Sequence, residues 1–377
     1  MSATRGWSTE LEGLRGIASL WVLLGHISLL IHCHITLLSS PGIGVDLFIL
    51  LSGYLMAKNY VERQEKEPWQ SPETIKKFWL RRFFRIAPLY YLLLAVALIS
   101  GPWFGEMRDT IAHVYSGTAT DASRYADQSL MNVVTHFSFL FGVLPAYGFN
   151  TTLPDWSIGL EMQFYLLFPF IMLAVMRFGY APALLCIMAL SCAGRYLLPD
   201  YYEAFEMPSM ILIKLNMFIS GMLLAEAVRR KSLLYVVFAL AGPVVSVFIG
   251  LGAIKLQVVM EALMIIGMAA VLWQYQENSL MARLIQLPRK VLNNRLSTWL
   301  GDVSFSVYLL HLLIVIPAIA LLLKQTDIAY QSDVTRFLIV CAVSLPLTYG
   351  LASLLYQYVE KPGIRLGKKV LAPKPAL

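Results

Sequence analysis

Residues 13–33 read GLRGIASLWVLLGHISLLIHC, an apolar run interrupted by Arg15 and, eleven residues on, by His26. A helix of this length covers a hydrocarbon core of roughly 30 Å at 1.5 Å per residue. Two ionisable groups and no small-residue cleavage pattern after the run argue against a cleaved signal peptide, so it reads as a first transmembrane span. Along that helix, eleven residues make three turns plus about 20°, which puts Arg15 and His26 on one face with His26 roughly 16 Å deeper. Glu12, three residues before Arg15, is placed to pair with its guanidinium.

The rest of the chain repeats the pattern. Of 377 residues 58% are hydrophobic and 14% charged, where soluble domains carry about 25% charged; mean hydropathy is +0.65. Spans are expected at 13–33, 43–60, 86–101, 158–176, 181–198, 209–227, 233–251, 256–275, 299–323 and 335–358, about ten helices of one all-α integral membrane bundle, 1–377 being a single domain. The net charge of +7 reports topology rather than nucleic-acid binding. The loop 61–85 carries Arg63, Lys66, Lys76, Lys77, Arg81, Arg82 and Arg85, so it and the N-terminus are expected in the cytoplasm. Loop 102–131, with Arg108 and Arg124 against Glu106, Asp109, Asp121 and Asp127, is expected outside. The apolar stretch 133–148 must then not cross: only so do Arg177, the Arg229 to Lys231 cluster, the 283–295 loop and the basic tail from Lys361 to Lys374 all fall inside, the C-terminus with them. It reads as a re-entrant or interfacial segment. Residues 62–77 are expected as a solvated loop and 78–85 as an amphipathic stretch along the inner interface.

Ionisable groups inside a span are functional candidates by default because they are costly there. Ser304, Tyr308 and His311 form a polar stripe at i, i+4 and i+7 of an otherwise aliphatic helix, and Ser157, Glu161 and Tyr165 recur every four residues after Trp156. The bland readings are a hydrogen-bonded helix contact for His136, topology anchors for Arg81, Arg82 and Arg85, end markers for Asp46 and Lys58, and interhelical contacts for Lys214, Asn216, Glu226 and Glu261. Cys33, Cys186, Cys192 and Cys341 read as small buried hydrophobes. His32 and His34 beside Cys33 have the wrong spacing for one helical face, so no metal site is indicated.

The ordered strings EGLRGIA (12–18), GVDLF (44–48), SGYL (52–55), RFFR (82–85) with PLY (88–90), WSIGLE (156–161), SFSVYLLH (304–311) and EKP (360–362) resemble the membrane acyltransferase-3 family across nearly the whole chain. Its members O-acylate surface glycans and related acceptors, and Glu12 stands where aspartate is more usual. The resemblance implies a multi-pass protein of the bacterial inner membrane that takes acetyl from cytoplasmic acetyl-CoA to a sugar hydroxyl of a surface polysaccharide, lipopolysaccharide or lipid-linked glycan. Arg15, Arg82 and Arg85 are then expected to hold the CoA phosphates. His26, with Arg15 and Glu12, is the catalytic group, as general base or acyl-carrying nucleophile. Trp156, Ser157, Glu161, Tyr308 and His311 are expected to line the acceptor site. No SGNH-type esterase domain is expected. The rival is a transporter or flippase of a lipid-linked sugar or small anion, with the histidines as a proton relay.

Overall fold

The computed structural model describes residues 9–249 and 255–372; Lys374 of the basic tail and positions 250–251 of the 233–251 span lie outside them. Among the described residues there are helices and no strands: α1 (Thr9–Leu30), α2 (Pro41–Arg63), α3 (Pro72–Ile99), α4 (Gly101–Val114), α5 (Ser123–Ala126), α6 (Leu130–Phe137), α7 (Trp156–Phe178), α8 (Tyr180–Leu197), α9 (Pro199–Glu203), α10 (Ile211–Arg230), α11 (Leu233–Ala239), α12 (Ala241–Ile249), α13 (Lys255–Leu272), α14 (Leu280–Leu292), α15 (Arg295–Gln325), α16 (Asp333–Leu355) and α17 (Lys361–Val370).

Eight of these are long and apolar enough to cross a bilayer: α1, α2, α3, α7, α8, α10, α15, and α16 with its continuation. The spans expected at 233–251 and 256–275 are instead shorter apolar helices, the first broken at Leu240 between α11 and α12. The stretch 133–148 forms no crossing helix. It holds the end of the eight-residue α6 and two 3₁₀ turns, Leu140–Val143 and Pro145–Tyr147. Two expectations are corrected. Residues 78–85 lie within the first half of the 28-residue α3, which begins at Pro72 and so also takes in the end of the loop expected at 62–77, because nothing between Phe78 and Pro88 interrupts the backbone bonds. The 102–131 loop is partly helical, as α4 and α5.

The chain forms two compact units, Met1–Ala18 with Gly42–Thr74 and Leu160–Asp302, and Ser19–Pro41 with Ile75–Gly159 and Val303–Leu377. In the first, small residues let helices approach to backbone contact, the usual device where lipid offers no hydrophobic drive to associate. Gly53 of α2 backs onto Phe218 of α10, and Gly221 of α10 onto Leu50 and Tyr54 of α2. Gly13 meets the Leu292 carbonyl, Gly301 meets that of Glu12, and a Cβ on Gly16 would stand 2.7 Å from the Leu300 Cβ. Consequently α1 and the start of α15 are locked together. In the second unit, a π-helical turn, Tyr356–Glu360, joins α16 to α17, and Gly363 and Gly367 of α17 lie against Pro88 and Phe84 of α3. That close approach brings the EKP string beside the RFFR string.

Candidate functional site

In the second unit His26 and His311 meet. His26 sits on α1 with its Nδ1 2.9 Å from the Val22 carbonyl one turn earlier and 3.1 Å from Nε2 of His311 on α15; the ring centroids are 4.9 Å apart. The Nδ1 of His311 lies 2.6 Å from the Tyr308 carbonyl. These partners assign the tautomers, since a ring nitrogen facing a carbonyl must carry the hydrogen. His311 therefore donates from Nδ1 to Tyr308 and accepts at Nε2 from His26 Nδ1–H. What is left is a lone pair on His26 Nε2. His311 is fully buried while His26 is partly exposed, so the inner ring orients the outer one.

The Tyr308 hydroxyl extends this arrangement. It accepts from Ser157 Oγ at 2.7 Å and donates to the Pro154 carbonyl at 2.8 Å. The 151–155 segment is held in turn by buried Asp155, whose Oδ2 accepts from Thr151 Oγ1 at 3.0 Å and from the Tyr90 hydroxyl at 3.4 Å. Burial pushes the Asp155 carboxyl above the ordinary carboxylate range. The Nε2 of His136 lies 3.7 Å from the same oxygen and its ring stacks on Phe141, which makes it a structural histidine. Trp156, partly exposed, opens α7. The sequence signal for Asp155 and Tyr90 is slight: Asp155 immediately precedes the WSIGLE string and Tyr90 is the last residue of PLY.

Arg85, proposed for phosphate, forms an ion pair at 3.3 Å with Glu360, whose other oxygen accepts from Ser306 Oγ at 3.0 Å. Glu360 is buried, so part of the Arg85 charge is already matched, and the EKP string acts through Arg85. Arg82 lies with its guanidinium 5.6 Å from the Phe78 ring centre. Lys76, Lys77 and Arg81 share the first half of α3 with them.

In the first unit Arg15 meets Glu12 at 3.2 Å, as the i, i+3 spacing predicts. Glu161 accepts from Ser52 Oγ at 3.1 Å and from the Tyr165 hydroxyl, so the SGYL and WSIGLE strings interlock there, whereas Ser157 serves Tyr308. Asp46 is no end marker. It is completely buried, 2.6 Å from Lys214 Nζ and 2.7 Å from Gln257 Nε2, with Glu261 3.9 Å from the same ammonium. Lys214, Asn216 and Glu261 are interhelical contacts, as expected; Asn216 donates to the Gly242 carbonyl and to Ser246, and Glu226 caps Arg229 within α10. Among the described residues no group of three metal-ligating side chains occurs.

The family described as an acyltransferase domain, of the acyltransferase-3 type, matches residues 8–353. The chain belongs to this acyltransferase family. The peptidoglycan O-acetyltransferase OatA of Listeria monocytogenes is 29% identical over 186 residues, 48% of this chain and 27% of that protein. The acyltransferase MdmB of Streptomyces mycarofaciens is 25% identical over 403 residues, 97% of this chain and 95% of that one. The chain thus spans about a quarter of OatA's length and nearly all of MdmB's. No solved structure matches it.

Proposed function

We propose that the protein transfers an acyl group, acetyl from acetyl-CoA, to a sugar hydroxyl of a cell-envelope glycan in the bacterial inner membrane, with both termini cytoplasmic and 1–377 working as one acyltransferase domain. The observation that carries the reading is the 3.1 Å contact of His26 Nδ1 with His311 Nε2, which supports the assignment of a free lone pair to His26 Nε2. OatA's name as an O-acetyltransferase supports acetyl as the group and a glycan as acceptor.

The chemistry asked of the site is modest. As general base, His26 Nε2 takes the acceptor hydroxyl proton while that oxygen attacks the thioester carbonyl, and returns the proton to the departing thiolate. As nucleophile, the same lone pair attacks the thioester carbonyl and expels the CoA thiolate; the acceptor hydroxyl then attacks the acyl-imidazole, its proton goes to the thiolate, and neutral His26 is regenerated. In both, His311 keeps the Nδ1 hydrogen in place as positive charge develops on the His26 ring. The basic first half of α3 suits the CoA phosphates in charge, with Arg82 and the partly exposed Arg85 at its inner end. Within the first unit, Arg15, paired with Glu12, is a further phosphate candidate. Tyr308, Ser157 and Trp156 are the acceptor-side candidates of the second unit; Glu161 is a separate candidate within the first.

The test is thiol release from acetyl-CoA by detergent-purified protein with glycan precursors, wild type beside His26→Ala. Removing a general base costs about 10²–10⁴-fold, so the variant should lose nearly all turnover while staying monodisperse. Turnover in neither protein, together with substrate movement that needs no acetyl-CoA, would return the assignment to transport.

A further inference from the structure

Three arginines of the second unit are buried: Arg108, Arg124 and Arg336. Arg336 meets Asp333 at 2.8 Å. Arg108, on α4, has no such carboxylate among the described residues: its Nη2 donates to the Thr118 carbonyl and its Nε is buried with no hydrogen-bond partner. A guanidinium enclosed in this way costs several kcal/mol unless an anion offsets it. The acidic side chains around it are exposed or engaged. Glu106 and Asp109 point to solvent, Asp121 accepts from the Ser123 N–H, and Asp127 from the Ser129 N–H and Asn150.

A second guanidinium lies close by. Arg124 on α5 stacks 3.6 Å from the Phe149 ring centre and donates from Nε to the Thr151 carbonyl at 3.3 Å. It therefore holds the same 149–155 segment that, through Pro154 and Tyr308, positions His311. Burial, with the like charge of Arg124 added, shifts the Arg108 guanidinium below its ordinary pKa, and both charges are in Coulombic range of the His26 ring. Two enclosed cations in one segment, one with an unused donor, are the composition of an oxyanion site.

We propose that Arg108 and Arg124 bind a carboxylate or phosphate carried by the acceptor, so that the acceptor is an acidic sugar whose charge sets which hydroxyl reaches His26. This rests on the acyl-transfer reading and on the expected outward placement of the 102–131 segment. The site gives a reason for α4 and α5 being folded rather than a simple loop.

The test uses the full chain in phosphatidylcholine nanodiscs, with glucuronate, glucose 1-phosphate and glucose as probes, and measures binding by titration calorimetry without acetyl-CoA. At least one charged probe should bind about tenfold more tightly than glucose, with the preference falling as salt is raised and in Arg108→Gln; Arg108→Lys, which keeps the charge without the planar fork, should retain part of it. Equal binding of charged and neutral sugars by the wild type overturns the proposal, whatever the variants do. So does charge-preferring binding abolished by phosphatidylglycerol nanodiscs, which would assign the site to a lipid headgroup. Thiol release from acetyl-CoA by the same wild-type sample reports separately on acyl transfer, so the two readings can fail independently.

Discussion

Replacing His311 by alanine removes the acceptor of the His26 Nδ1 hydrogen, 3.1 Å away, and leaves that hydrogen to the Val22 carbonyl alone. The His26 Nε2 lone pair survives, but its direction is then set by one hydrogen bond instead of two. A neutral hydrogen bond contributes about 0.5–1.5 kcal/mol net, and each 1.36 kcal/mol is tenfold in rate. His311→Ala should therefore slow thiol release by about 2- to 13-fold, against about 10²–10⁴-fold for His26→Ala. His311→Gln supplies an amide oxygen that can accept from His26 and should recover part of the loss. Because His311 is fully buried, each variant is compared at matched monodispersity and well below its melting temperature. Loss in His311→Ala as deep as in His26→Ala would make His311 itself the reacting group. A wild-type rate in His311→Ala would show that the contact does not orient His26.

Other consequences lie away from the histidines. Lys214→Met leaves the buried Asp46 and Glu261 without their shared cation; it should cost about 3–5 kcal/mol in detergent melting, and adding Asp46→Asn should restore much of that. Melting of Lys214→Met at the wild-type temperature would refute the pairing. Gly16→Ala brings a Cβ to 2.7 Å from Leu300 and 2.9 Å from the Gly301 nitrogen, so about 1–3 kcal/mol of overpacking is expected; an unchanged melting point would mean α1 and α15 can part freely. The Asp127 carboxyl is partly desolvated, which alone would raise its pKa, yet bonds from Ser129 and Asn150 hold it below the ordinary value. A depressed folded pKa adds stability that is complete above the unfolded carboxylate value, about pH 3.9, and disappears as pH falls through the lower folded value. Asp127→Asn should accordingly flatten the loss of melting temperature below about pH 4, and an acid profile identical to wild type would exclude the contribution.

The sequence alone determined what depends on local pattern. Most apolar runs of bilayer length, the interruption of the first by Arg15 and His26, the Glu12 to Arg15 spacing and the polar stripe from Ser304 to His311 are readable from 1.5 Å and 100° per residue, and the structure reproduces them as helices or contacts, while the runs expected at 233–251 and 256–275 are shorter helices. It misjudged boundaries where composition changes but the backbone does not, as between Phe78 and Pro88 of α3. Only the tertiary structure decided partners remote in the chain. His26 with His311, Arg85 with Glu360, Asp46 with Lys214 and Ser157 with Tyr308 each join different helices, and helical periodicity says which face a residue occupies but not which other face it will meet. That choice rests on where small residues such as Gly53, Gly221 and Gly363 let backbones close up, and on the cost of leaving a buried charge unmatched. Both are properties of the packed molecule rather than of any one segment.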